Sequence, residues 1–194
     1  AIGGKYILGA DIDLSGIDWK RTANFAGELN GNGHVIKNLS GETGLFNRIV
    51  KANISNLGLV NVNVTSSSSD GVGGIATWAQ ESSITNCFVV GSIVNNGYSP
   101  VGGIVGNLSS SSTVSYSYSS GTVEGNLIGG IAGYLSDSTI YGSFSDATII
   151  SNGSASDGGS AGGLAGDSDG NIQIYNSTSL SKIIADQSIY AGAL

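Results

Sequence analysis

Two aspartates near the N-terminus come closest to a catalytic pair. Asp11 and Asp13 flank Ile12 in an alternating run, Tyr6 to Gly16. On a strand, residues i and i+2 share a face, which sets two such carboxylates roughly 6–7 Å apart. That spacing suits acid/base work on a glycosidic bond. Asp18 and Glu28 are the other acids that qualify by proximity. The plainer reading is a pair of solvated acids on an edge strand.

Asp167, Asp169 and Asn171 place oxygen ligands at alternate positions, as calcium loops do. The bidentate Glu of the full helix–loop–helix motif is missing, so calcium here would be structural, and a polar turn is the plainer alternative. His34 is the only histidine and has no nearby Cys, which argues against zinc. No nucleophile elbow surrounds any serine. The remaining candidates are large amphipathic rings, which stack on sugars or anchor protein partners when exposed. Tyr116, Tyr118 and Trp78 are taken as binding residues, with Tyr116 and Tyr118 on one face by strand periodicity. Six Asn-x-Ser/Thr sequons, at Asn38, Asn53, Asn63, Asn107, Asn152 and Asn176, are expected to serve turns and ladders. No residue is assigned as catalytic and no cofactor is expected beyond that calcium.

The elements that carry these residues follow from composition. Of 194 residues, 32 are Gly and 32 are Ser, with one Pro, one Cys and no Met. Charged residues make up 11% and the net charge is −7. Disorder is excluded, because hydrophobic residues still reach 40%. A nucleic-acid surface needs clustered Lys and Arg, which the acidic balance lacks. A disulfide framework is excluded because Cys87 has no partner. No apolar run reaches the roughly 20 residues of a membrane span.

A phrase recurs at Gly73-Gly74-Ile75, Gly102-Gly103-Ile104, Gly129-Gly130-Ile131 and Gly162-Gly163-Leu164, with starts 29, 27 and 33 residues apart. Thr43-Gly44-Leu45 is a degenerate earlier copy, and Ala191-Gly192-Ala193 opens a truncated later one. Such a period signals a solenoid. Apolar stretches within it are short and β-branched, unlike a helical repeat. The expected fold is all-β: a parallel, right-handed β-helix of about five or six coils of roughly 27–33 residues, with about three strands per coil. Coils about 4.8 Å apart would stack Leu45, Ile75, Ile104, Ile131 and Leu164 into one ladder. Ile54, Ile84, Val114, Ile140 and Ile174 would form a second, and Ile93, Val123, Ile149 and Ile183 a third. Cys87 would point inward as a small apolar group. Buried Ser117 and Ser143 would need hydrogen-bond partners. The doubled glycines suit corners where a Cβ would clash. Serine runs 66–69 and 109–112 read as protruding loops at equivalent positions. Residues 1–41 depart from the pattern and read as a cap and first coil, and residues 42–194 as repeats starting near 43, 73, 102, 129 and 162.

The phrase Gly-Gly-Ile-(Val/Ala)-Gly at 102–106 and 129–133, with Val114 to Gly121, resembles the bacterial GLUG repeat. Asp11 to Gly16 and Leu29 to Ile36 resemble the segment that commonly precedes such repeats. Thr77-Trp78 departs from the pattern where Gly106 and Gly133 stand in later copies. The resemblance implies an extracellular or cell-surface β-helical segment of a longer bacterial protein. Surface adhesins and immunoglobulin A1 metallopeptidases carry such repeats, with the zinc site outside them. No His-Glu-x-x-His occurs here, so peptidase activity is not implied for this chain. The expectation is a non-catalytic rod that presents faces to a host protein or glycan, with neither nucleic-acid binding nor membrane insertion. A carbohydrate-active enzyme and an accessory domain of a surface protease are the alternatives.

Overall fold

The computed structural model describes residues 2–20, 23–153, 158–185 and 190–192. Among these there is no helix, and every named strand pairs in parallel. The chain winds as a β-solenoid of about five turns, as the repeat predicts. Four sheets line the tube, rather than the three expected. One coil shows the order: Ala76–Gln80 in sheet A, Ser83–Thr85 in sheet B, Phe88–Asn95 in sheet C and Pro100–Gly102 in sheet D. The doubled glycine lies at the D–A corner and so straddles two sheets. That is why the phrase reads as one apolar stretch in sequence.

The predicted ladders are present. Leu45, Ile75, Ile104, Ile131 and Leu164 are all buried, and a backbone hydrogen bond at the D–A corner joins each of the first four to the next coil. In sheet B, Ile54, Ile84, Val114, Ile140 and Ile174 stand in register, with Leu29 and Tyr6 continuing the column toward the N-terminus. Sheet C stacks Val64, Ile93, Val123, Ile149 and Ile183. Sheet D adds Val72, Val101, Ile128 and Ala161. Together they make one continuous core. Each fully buried aliphatic side chain contributes about 1.5–3 kcal/mol.

Small polar residues turn the corners. The B–C corner places Asn56, Asn86, Tyr116 and Asn176 at φ values of 49–52°, and Gly142 at 58°. Asparagine tolerates this left-handed region because its short side chain can hydrogen-bond locally. The next residue points inward: Leu57, Cys87, Ser117, Ser143 and Ser177. Ser117 Oγ accepts the Cys87 N–H at 3.2 Å, Ser143 Oγ the Ser117 N–H at 3.2 Å, and Ser177 Oγ the Ser143 N–H at 3.1 Å. The Ser117 and Ser143 hydroxyls donate to Ser115 O and Tyr141 O. These buried hydroxyls are thus partnered, as their burial requires. Burial pushes the Cys87 thiol up to about 11, which leaves it protonated and inert at neutral pH. At the D–A corner, a Cβ on Gly103 would meet Ser119 Oγ at 2.6 Å and Gly130 O more closely still.

The serine runs do not occupy equivalent positions. Ser66 ends a sheet C strand and residues 67–70 lead toward sheet D, whereas Ser109 ends a sheet A strand and 110–112 turn the A–B corner. Ser66 and Ser112 are each 1% exposed, so the runs are partly core.

Repeat length is set at the junctions. Between sheets C and D lie residues 96–99 in one coil, Asn126 alone in the next and 152–159 in the third. One extra residue at the 110–112 corner partly offsets the shortening in the second. These changes account for periods of 29, 27 and 33. The 30-residue spacing after Thr43 follows from Asn61, the unpaired residue of a bulge in sheet C.

The described part of residues 1–41 supplies two levels of sheets B and C but no strand of sheet D. Phe25 replaces sheet A there with single bridges to Ile2 and Ile49. Of the last copy of the phrase, Ala191 and Gly192 pair with Ala161 and Gly162, while Ala193 and Leu194 lie outside the described residues.

Candidate functional site

Asp11 and Asp13 sit at the start of sheet C, where side chains of the following coils tie them down. Asp11 accepts the Val35 N–H at 3.1 Å, faces His34 Nδ1 at 3.3 Å and pairs with Lys37 Nζ at 2.9 Å. Asp13 accepts the Ser15 N–H at 2.8 Å, the Ser15 hydroxyl at 2.7 Å and Asn38 Nδ2 at 2.7 Å. The Lys37 contact and the Val35 N–H lower Asp11 to about 2, and the Ser15 and Asn38 bonds lower Asp13 to about 2. A glycosidase pair needs one carboxyl raised so that it stays protonated. Here both are held ionised, and the network reads as fastening for the first coils.

Asp167 and Asp169 belong to a sheet A strand, Ala165–Asp169, rather than to a loop. Asp167 caps the Ser168 N–H at 2.7 Å, and hydrogen bonds from Ser136 and Tyr134 hold the Asp169 carboxyl below its usual value. The Asn171 N–H donates to Asp137 Oδ1 at 2.9 Å. The strand carries Asp167 and Asp169, while Asn171 lies beyond its end. No group of three or more His, Cys, Asp or Glu is placed to hold a metal ion among the described residues.

The three ring candidates do not share a face. Trp78 lies on sheet A, where Arg48 sits 5.0 Å from its ring centroid and its Nε1–H donates to Asp70 O at 3.1 Å. Tyr118 begins a sheet C strand, stacks on Phe144 with centroids 5.4 Å apart, and donates to Asp146 Oδ1 at 3.0 Å. Tyr116 is on neither strand. It occupies the left-handed B–C corner, so the alternation rule that placed it beside Tyr118 does not apply.

That corner forms the most developed exposed aromatic surface. Tyr116 meets Tyr141 edge-on at 4.9 Å between centroids, and Tyr141 meets Tyr175 at 4.7 Å. Tyr116 is 57% exposed and Tyr175 48%. The hydrogen bond with the Tyr141 hydroxyl, then burial, raises the Tyr116 phenol. Gly142 makes the arrangement fit, because a Cβ there would lie 3.0 Å from the Tyr116 ring edge. Three phenols spanning three coils give a rigid amphipathic strip suited to a sugar face or an apolar protein side chain. Tyr141 and Tyr175 were missed as partners of Tyr116. The signal was their common place two residues before the inward Ser143 and Ser177.

A cleft of about 450 Å³ opens beside residues 18–20, where sheet D has no strand among the described residues. Sequence reasoning had no signal for it, since its walls come from separate coils without a motif.

Residues 1–91 match the model of the M26 IgA1-specific metallo-endopeptidase N-terminal region. The whole chain superposes, with a TM-score of 0.86 and 26% identity, on a Bacteroides ovatus protein of known crystal structure described as a "putative immunoglobulin A1 protease". The alignment covers 100% of this chain and 64% of that one, so the chain spans less than two thirds of its relative's length. No curated protein sequence matches. Both matches tie this β-solenoid to the same kind of protein. The family match concerns the N-terminal region, not the peptidase's catalytic domain.

Proposed function

We propose that this chain is a non-catalytic accessory rod of an M26-type metallopeptidase, extracellular or at the bacterial surface. In this reading it holds a host protein or glycan through its aromatic corner while another part of the protein performs the chemistry. The match of residues 1–91 to the N-terminal region of such peptidases carries the reading. Three features support it. Asp11 and Asp13 are both committed as ionised hydrogen-bond acceptors. His34, the only histidine, is engaged with Asp11. The tyrosine strip lies on a rigid scaffold, so ordering it on binding costs little side-chain entropy. Among the described residues no helix is long and apolar enough to cross a membrane.

The test uses immobilised immunoglobulin A1 and the 194-residue chain. Binding without cleavage is expected, with at least a tenfold loss on Tyr116→Ala combined with Tyr175→Ala. Cleavage of the antibody by this chain alone would overturn the proposal, as would absence of binding.

A further inference from the structure

The cleft beside residues 18–20 is built, not incidental. Trp19 forms part of its wall and is fixed at two points. Its backbone N–H donates to Ser40 O at 3.3 Å and its indole Nε1–H to Leu45 O at 3.1 Å. The indole therefore has no free donor to offer a ligand, and what it contributes is a held apolar surface. Asp18 and Glu42 bring carboxylates, with Lys20 paired to Asp18. Thr43 and Thr77 line it as well, with residues 65–68 and Gly71 along the opposite wall. Thr77 is 2% exposed, and Thr43 Oγ1 is buried without a hydrogen-bond partner. Thr43 stands where later coils have the first glycine of the doubled pair, so this hydroxyl enters the cleft only in the coil where the wall opens.

The ligand must satisfy all of these groups. Among the described residues two carboxylates stand against one lysine, which disfavours an anion. A divalent cation would have to displace Lys20 from Asp18, and no third acid lines the cleft among the described residues. An extended peptide brings amides spaced for a sheet edge, whereas the orphan group here is a hydroxyl beside carboxylates. A pyranose ring has alternating hydroxyl donors and acceptors around its rim and an apolar face for an indole. The volume also falls within the usual range of small-molecule sites, about 300–1,000 Å³.

We infer that the cleft formed by Asp18, Trp19, Glu42, Thr43 and Thr77 binds a neutral saccharide unit. Its hydroxyls donate to the two carboxylates and pair with Thr43, and its apolar face lies on Trp19. This surface is separate from the tyrosine corner, and the inference does not depend on the accessory-rod reading.

The experiment is saturation-transfer NMR and fluorescence titration with chitotriose, mannotriose, lactose and sialyllactose. A Trp78→Phe background leaves Trp19 as the sole indole. At least one neutral oligosaccharide should give saturation transfer and shift the Trp19 emission. Glu42→Gln and Asp18→Asn are exposed changes that leave the core intact, and together they should weaken that binding at least tenfold. Tyr116→Ala should leave it unchanged. The inference fails if no neutral oligosaccharide binds at 10-millimolar concentration (about the weakest affinity such a cleft would show). It also fails if the double variant binds as well as the parent, or if only sialyllactose binds.

Discussion

The same corner is solved in two ways along the rod. In the N-terminal half, Asn86 Nδ2 donates to Asn56 Oδ1 at 2.8 Å and Asn56 Nδ2 to Asn30 Oδ1 at 3.0 Å. The corner amides of Asn56 and Asn86 thus stack on the strand-end amide of Asn30 in a hydrogen-bonded file. One coil later the file stops. Tyr116 takes the position with the same backbone angle, Gly142 clears space for its ring, and Tyr141 and Tyr175 close around it. Backbone geometry is conserved between the halves and side-chain chemistry is not. An aromatic residue is poorly suited to positive φ. Where one replaces an amide that already solved the corner, the side chain is present for something other than the turn.

The comparison can be broken at several depths. If both halves share one core, Ile54→Ala in the asparagine half and Ile140→Ala in the tyrosine half should each cost about 2–5 kcal/mol in urea unfolding. A much smaller loss in one half would show the halves to be separately stabilised. Asn86→Ala should cost about 1–2 kcal/mol, since it loses the amide file and puts a Cβ-bearing residue without local hydrogen bonds at φ 52°. Gly142→Ala should cost about 1 kcal/mol and displace the Tyr116 ring, read as a changed near-ultraviolet dichroism. Tyr116→Asn sharpens the contrast most. It restores the amide solution, so stability should move by less than about 1 kcal/mol, while binding at the corner is lost.

The smallest effect concerns the first coils. Asp11 and Asp13 have folded-state values near 2, below the ordinary 3.8. Groups depressed on folding stabilise above the unfolded value, and that contribution is lost as pH falls through the folded one. Amide protection factors around residues 11–15 and 34–38 should therefore fall between about pH 4 and pH 2, ahead of those in the central coils. Asp11→Asn with Asp13→Asn should remove that pH dependence.

Much of the fold was legible because stacking imposes a strict rule. Residues directly above one another in a narrow tube must be mutually compatible, so Ile75, Ile104 and Ile131, or Ile84 and Val114, announce themselves by type and period. The fourth sheet was hidden because Val101 and Ile128 sit directly before the doubled glycines and merge with Ile104 and Ile131 into one apparent stretch. The site was less legible. Tyr116 stood out by type, but alternation assigned it a strand face when it lies in a left-handed corner. Asp167 and Asp169 showed ligand spacing, which a straight strand produces as readily as a loop. The cleft's walls come from separate coils, and no single motif brings residues 18–20, 42–43, 65–68 and 77 together in sequence.

The varying passage from sheet C to sheet D has a wider implication. The insertions and deletions that distinguish the three central coils concentrate along one meridian of the cylinder, with a single-residue adjustment elsewhere. Ornament can be spliced there, from one residue to eight, while every buried column keeps its alignment. A lineage building on this scaffold can revise what it displays along that line and inherit the cylinder unaltered.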